Sequence, residues 1–208
     1  MIHASTRIIE LLRAAPARAG RTRVLAIDGP SGAGKTTLTA AVRAALAETA
    51  LSDPAPADAA VHRESSPVPV VHLDSIYPGW DGLADSVPRL VEWVLQPLAE
   101  GRPIGYHRYD WERDEYAEWV HVRTGPAPPV LIVEGVGAGS LPCAPYLSLL
   151  VWLDAPATLR FERGIARDGE AYRPHWQRWA DQENRYFAEH DPRGRADLRL
   201  EPQDRGVT

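Results

Sequence analysis

The chain has 208 residues, 44% hydrophobic and 25% charged, with a formal net charge of -5 and a pI near 5.8. That length and composition predict one domain over 1–208 with a real core, and the acidic balance excludes a broad electrostatic footprint for nucleic acid or an anionic membrane. One cysteine excludes an internal disulfide, and no charged start followed by an apolar run marks a signal peptide or membrane span, so a cytoplasmic setting is expected.

In chain order, a helix from about Ser5 to Ala15, within a helical segment 1–20, is expected to pack at a sheet edge. "RVLAID" (23–28) reads as a buried strand, followed by a helix over roughly 34–50. The proline- and alanine-rich 52–69 reads as a flexible connection. "VPVVHLD" (68–74) is a second strand, and Leu90, Val91, Val94, Leu95 and Leu98 give helical spacing over 85–100. "PVLIVEG" (129–135) and "LSLLVWLD" (147–154) are further strands, and "ADLRL" (196–200) is a weaker fifth. Helices are predicted over 156–167 and 174–190. Near-continuous apolar runs alternating with helical patterns predict an α/β fold whose mainly parallel sheet is covered on both faces. Cys143, in "SLPCAPY" with no histidine nearby, reads as a buried structural thiol.

Lys35 is the only lysine among 23 basic residues, the rest being arginine. It lies in "IDGPSGAGKTTL", where Gly29, Gly34, Lys35 and Thr36 satisfy G-x-x-x-x-G-K-[ST] between a predicted strand and a predicted helix. In that setting the amides of Ser31, Gly32, Ala33, Gly34, Lys35, Thr36 and Thr37 and the positive helix end cradle phosphate. Lys35 reaches the outer phosphates and the Thr36 hydroxyl can ligate magnesium. A compact ammonium suits a closed loop of backbone groups better than a planar guanidinium does.

The ends of the other strands carry carboxylates. Asp74 in "VVHLDSIY" either accepts a proton from an attacking hydroxyl or caps the following turn. Glu134 in "LIVEG" either holds magnesium or serves as a turn acid. Arg160, Arg163 and Arg167 share one face of a helix, either meeting a polyphosphate or forming a solvated face with Glu162 and Asp168.

The loop, "LDSIY", "VEG" and "DAPATLRFERGIARD", in this order, resemble the uridine kinase group of P-loop kinases, which includes pantothenate kinase and phosphoribulokinase relatives. The likeness runs from residue 23 to about 200. It implies a P-loop three-layer sandwich with a five-stranded sheet, an arginine lid within 156–195, and a closing strand at "RADLRL". By this resemblance Asp74 activates the acceptor hydroxyl, with Ser75 and Tyr77 matching the group's D-[DS]-F-Y motif and Ile76 replacing its phenylalanine. Glu134 then helps hold magnesium, and Arg163 and Arg167 close over the phosphates. The group also places a tyrosine-aspartate pair and then a histidine in its acceptor pocket. Tyr109 and Asp110 match the pair within 101–123, read as an acceptor-site insertion, but Asp114 and Glu115 stand where the histidine is expected and His107 precedes the pair. Pyrimidine recognition therefore does not follow from the resemblance.

Aromatics at 106, 109, 111, 116 and 119, with Tyr77 and Trp80, read either as stacking surfaces for a planar or sugar ligand or as core or hairpin packing. The expected substrate-binding residues are Asp74, Tyr77, Tyr109, Asp110 and Trp111. The "PGWDGL" loop (78–83) has no counterpart in the group. The expectation is an ATP- and magnesium-dependent kinase that phosphorylates a small-molecule hydroxyl, a nucleoside first, using Lys35, Asp74, Arg163 and Arg167. A nucleoside monophosphate kinase, a pantothenate-like kinase and a regulatory ATP-binding protein with slow hydrolysis are the alternatives. Neither nucleic acid nor a membrane is an expected partner, and self-association is left open.

Overall fold

In a computed structural model, residues 2–52, 68–123 and 129–201 are described. Most of the expected flexible connection, 53–67, lies outside them. Helix α1 spans Ile2–Ala14, strand β1 Arg23–Asp28 and helix α2 Lys35–Ser52. Strand β2 covers Val70–His72, helix α3 Leu83–Leu90 and the short helix α4 Gln96–Ala99. Strands β3 (Ile104–Asp110) and β4 (Glu115–Arg123) precede β5 (Val130–Glu134) and β6 (Leu147–Leu153). Helices α5 (Ala157–Asp168), α6 (Trp176–His190) and α7 (Pro192–Arg195) lead to β7 (Leu198–Leu200).

Among the described residues, five strands form one parallel sheet in the order β2-β5-β1-β6-β7. Period-two alternation explains why β1 is apolar throughout: Val24 and Ala26 enter one core cluster, Leu25 and Ile27 the other. The first cluster gathers Val87 and Leu90 of α3 with Trp179 and Tyr186 of α6. The second gathers Ile8 and Leu12 of α1 with Leu38 and Val42 of α2. The result is the expected three-layer α/β sandwich. Helix α1 covers a sheet face rather than an edge, because Ile8 and Leu12 pack with residues of the central strands. The chain runs from β1 out to β2, returns through β5 and crosses β1 to reach β6. In open α/β sheets ligands bind at the carboxyl ends of strands where such a reversal falls.

Two expected elements differ in detail. The strand expected over 68–74 stops at His72, because the Leu73 carbonyl accepts from the amides of both Ile76 and Tyr77 and winds Leu73–Ser75 into a 3-10 turn. The helix expected over 85–100 begins at Leu83 and widens into a π-turn at Val91–Leu95. Pro97 has no N–H to offer Trp93 one turn back, which removes an ordinary helical bond where the widening ends.

The segment 101–123 is an antiparallel hairpin, β3 against β4, separate from the main sheet. Trp93 meets His107, Tyr116 and Trp119 edge-on, so the packing alternative accounts for Tyr116 and Trp119. Cys143 is buried, and burial pushes its thiol up to about 12, as a structural thiol requires. No helix among the described residues is long and apolar enough to cross a membrane.

Asp28, fully buried at the end of β1, ties three elements together. It accepts from the Gly29 amide (2.7 Å), the Gly139 amide (2.8 Å) and the Tyr186 hydroxyl (2.6 Å). Burial raises its pKa above the ordinary carboxylate value, against the lowering effect of those donors. A carboxylate raised on folding adds stability when protonated and loses that contribution as pH rises through its folded-state titration. The ionised form therefore depends most on its donors. Tyr186→Phe is expected to cost about 1.5–3 kcal/mol at a pH above that titration, and about 0.5–1.5 kcal/mol at a pH below it. Urea unfolding at both pH values measures the difference; an equal penalty would mean that Asp28 keeps one charge state throughout.

Candidate active site

The phosphate loop leaves β1 at Gly29 and enters α2 at Lys35. Its backbone tolerates little else: Gly32 has φ 77°, and a Cβ there would stand 2.2 Å from the Arg160 carbonyl oxygen. Lys35 is 9% exposed, and its Nζ donates to the carbonyls of Gly29 (2.8 Å) and Pro30 (3.1 Å). The ammonium is thus held inside the curl of its own loop.

A cavity of about 330 Å³ opens over this loop. Gly32, Gly34, Lys35, Thr36 and Thr37 line it from the loop and α2, Asp74, Glu134 and Val136 from the strand ends, and Arg163 and Arg167 from α5. Glu134 is nearly buried, and its Oε1 accepts from Thr36 Oγ1 (3.3 Å) and lies 2.6 Å from His72 Nδ1. That bond to Glu134 raises the His72 pKa, against the opposing effect of burial. A hydroxyl and a carboxylate side by side in a phosphate-sized cavity match the hard oxygen donors that magnesium takes together with phosphate oxygens and water. Among the described residues, no group of three or more His, Cys, Asp or Glu could hold a metal, so an ion at Thr36 and Glu134 would need a phosphate ligand to complete its shell.

The three arginines of α5 divide their work. Arg163 and Arg167 line the phosphate cavity, Arg163 donating to the Ala33 carbonyl at 3.4 Å. Arg160 braces the loop instead, donating to the carbonyls of Ala155 (3.0 Å) and Ser31 (3.4 Å), and it lines neither cavity.

A second cavity, about 260 Å³, adjoins the first. Tyr77, Trp80, Trp111, Tyr172 and Trp179 form its walls, and Ser31, Asp74 and Arg167 line both cavities. Trp80 lies 4.3 Å from the His175 ring, only 1° from parallel, and within 5.0 Å of Trp111. Its loop is fixed from α6: Gln182 donates to the Trp80 carbonyl and Arg178 pairs with Asp81. Trp111, at the hairpin tip, donates through Nε1 to the Asp74 carbonyl (3.0 Å), fastening the hairpin to the turn that carries Asp74.

Of the residues expected to bind the acceptor, Asp74, Tyr77 and Trp111 are brought together here. Tyr109 and Asp110 are not, since neither lines the cavity. The Asp110 carboxylate accepts the amides of Glu112 and Arg113 and so closes the hairpin turn, while the Tyr109 hydroxyl donates to Asp114 (2.5 Å). Their alternation along β3 and the tightness of the turn decide this, and a motif match does not contain that information.

Sequence reasoning missed Tyr172, Trp179 and Glu183. Glu183 is 2% exposed and accepts from the Ser31 amide (2.8 Å) and Trp179 Nε1 (3.0 Å), while Trp179 Nε1 also reaches Ser31 Oγ at 2.9 Å. Trp179 and Glu183 stand at i and i+4, the one signal available in the sequence. Glu183→Ala leaves the Ser31 amide without its acceptor, so a loss of about 1–3 kcal/mol in urea unfolding is expected, together with a higher KM for ATP. Unchanged values of both would remove Glu183 as a support of the loop.

A phosphate loop at the head of α2, an arginine helix beside it and a second cavity sharing the base of the first define a P-loop kinase. The chain belongs to the phosphoribulokinase / uridine kinase family, which matches it over residues 24–176. Among solved structures, a possible uridine kinase from Bacillus stearothermophilus is similar at 22% identity and TM-score 0.57, over 95% of this chain and 99% of that one. A candidate fructose transport system kinase from Silicibacter sp. TM1040 is similar at 19% identity and TM-score 0.58, over 96% and 98%. At these identities the likeness concerns the fold. Among curated proteins, none matches this chain.

Proposed function

We propose that this kinase transfers the terminal phosphate of ATP to a hydroxyl of a small, ring-bearing molecule seated in the aromatic cavity. The observation that carries the reading is the position of Asp74, which borders both cavities. An acceptor hydroxyl beside Asp74 gives its proton to the carboxylate as its oxygen bonds to the terminal phosphorus. The bond from that phosphorus to the bridging oxygen breaks, and ADP leaves. Lys35 and the loop amides hold the phosphates, without the expected Ser31 amide, which donates to Glu183 instead, and Arg163 and Arg167 neutralise charge gathering on the transferred group. Thr36 and Glu134 would hold magnesium, which when bound screens the phosphate oxygens and orients them.

The family resemblance names a nucleoside first, and ring walls offer a base somewhere to stack. A nucleoside monophosphate is less well served. Arg167 is the one cation among the described residues lining the acceptor cavity, and the phosphate cavity shares it.

A screen of the purified protein with ATP and magnesium against nucleosides, deoxynucleosides, nucleoside monophosphates, pantothenate and sugars tests this reading. The expected result is ADP release matched by a phosphorylated acceptor. ATP hydrolysis at one slow rate with every candidate would favour the regulatory reading.

A further inference from the structure

The walls of the acceptor cavity have already committed most of their polar tips. Trp111 Nε1 donates to the Asp74 carbonyl, Trp179 Nε1 to Ser31 Oγ and Glu183, and the Tyr77 hydroxyl to the Val136 carbonyl at 2.8 Å. What these three side chains offer a ligand is ring surface. The Tyr109 and Asp110 pair, which would have supplied a hydroxyl and a carboxylate, is engaged within the hairpin. The charged and hydroxyl groups that line both cavities, Ser31, Asp74 and Arg167, all stand at the transfer end, where the phosphate cavity begins.

A ribose brings hydroxyls besides the one phosphorylated, and a nucleobase edge brings several donors and acceptors. Each such group buried without a partner costs about 1–3 kcal/mol. A flat ring of low polarity carries no such penalty, and each Å² of apolar surface it buries returns about 25 cal/mol, with stacking added. The size agrees: about 260 Å³ falls just under the roughly 300–1,000 Å³ of pockets for drug-sized ligands, which suits one or two rings.

Building on the kinase reading above, we infer that the acceptor is an aromatic alcohol: a weakly polar ring of one or two cycles, set against the ring wall that Trp80, Trp111 and Tyr172 form, with its hydroxyl at Asp74. The chemistry is unchanged. The alcohol loses its proton to Asp74 and gains the phosphoryl group, forming a phosphate monoester and ADP.

The test uses the full chain with ATP and magnesium and compares benzyl alcohol, pyridylmethanol and naphthalenemethanol with uridine, adenosine and ribose. Product mass reads transfer, and quenching of tryptophan fluorescence reads binding. The expected result is a kcat/KM for the aromatic alcohols at least about 10-fold above that for the nucleosides, with Trp80→Ala raising their KM at least about 10-fold. Transfer to nucleosides without any response to the aromatic alcohols overturns the inference and leaves the kinase reading intact. Binding of the aromatic alcohols without transfer supports the ligand class and removes the kinase reading. Neither binding nor transfer of the aromatic alcohols overturns the inference.

Discussion

Asp74→Asn is expected to lower phosphoryl transfer at least about 100-fold while ATP binding is retained, because an amide of the same shape cannot take up the acceptor's proton. The substitution leaves the local backbone its own supports. The Leu73 carbonyl still accepts the amides of Ile76 and Tyr77, and Trp111 still bonds to the backbone carbonyl of residue 74. A fall in turnover then reports on the carboxylate and not on a collapsed turn. Steady-state assays with an identified acceptor, alongside calorimetric titration of ATP, measure the two quantities separately. A second readout distinguishes a base from a turn acid: loss of the base flattens the acidic limb of the pH profile of kcat, whereas loss of a turn acid lowers stability and leaves the limb in place. Near-normal turnover would return Asp74 to the turn-capping role.

How far the sequence could be read depended on whether each residue type has one physical use or several. Strands β1, β5 and β6 are buried on both faces, so their sequences are continuous apolar runs that few other settings produce. The phosphate loop was equally legible, since glycines at φ values of 143°, 77° and 103° leave few alternatives for Gly29, Gly32 and Gly34. Aromatic and acidic side chains are less specific. Tyr109 and Trp111 sit two residues apart on the same hairpin, yet only Trp111 lines the cavity. Glu183 is buried against the phosphate loop on a helix whose Glu189 is exposed, and nothing local distinguishes the two carboxylates. The wall of the second cavity was harder still, because Trp80, Trp111 and Tyr172 come from three distant segments that only the fold brings together. The stacking role of Trp80 could be proposed from composition, but its near-parallel partner His175 could not.

The second large effect is expected at Lys35. Removing its ammonium in Lys35→Ala deletes the charge proposed to meet the outer phosphates, together with the two bonds to the Gly29 and Pro30 carbonyls. Hydrogen bonds to charged groups contribute about 1.5–3 kcal/mol, so ATP affinity should fall roughly 10- to 150-fold, and turnover at least as far. Calorimetry showing unchanged ATP affinity with unchanged turnover would remove the phosphate-loop assignment. Lys35→Arg is the sharper variant because it preserves charge. The ammonium lies between two carbonyls in a position only 9% exposed, and a guanidinium is broader, planar and fixed in its donor directions. Lys35→Arg is therefore expected to resemble Lys35→Ala in ATP affinity. If it instead binds like the parent chain, charge alone suffices at this position, and the single lysine in a chain otherwise rich in arginine has no geometric cause.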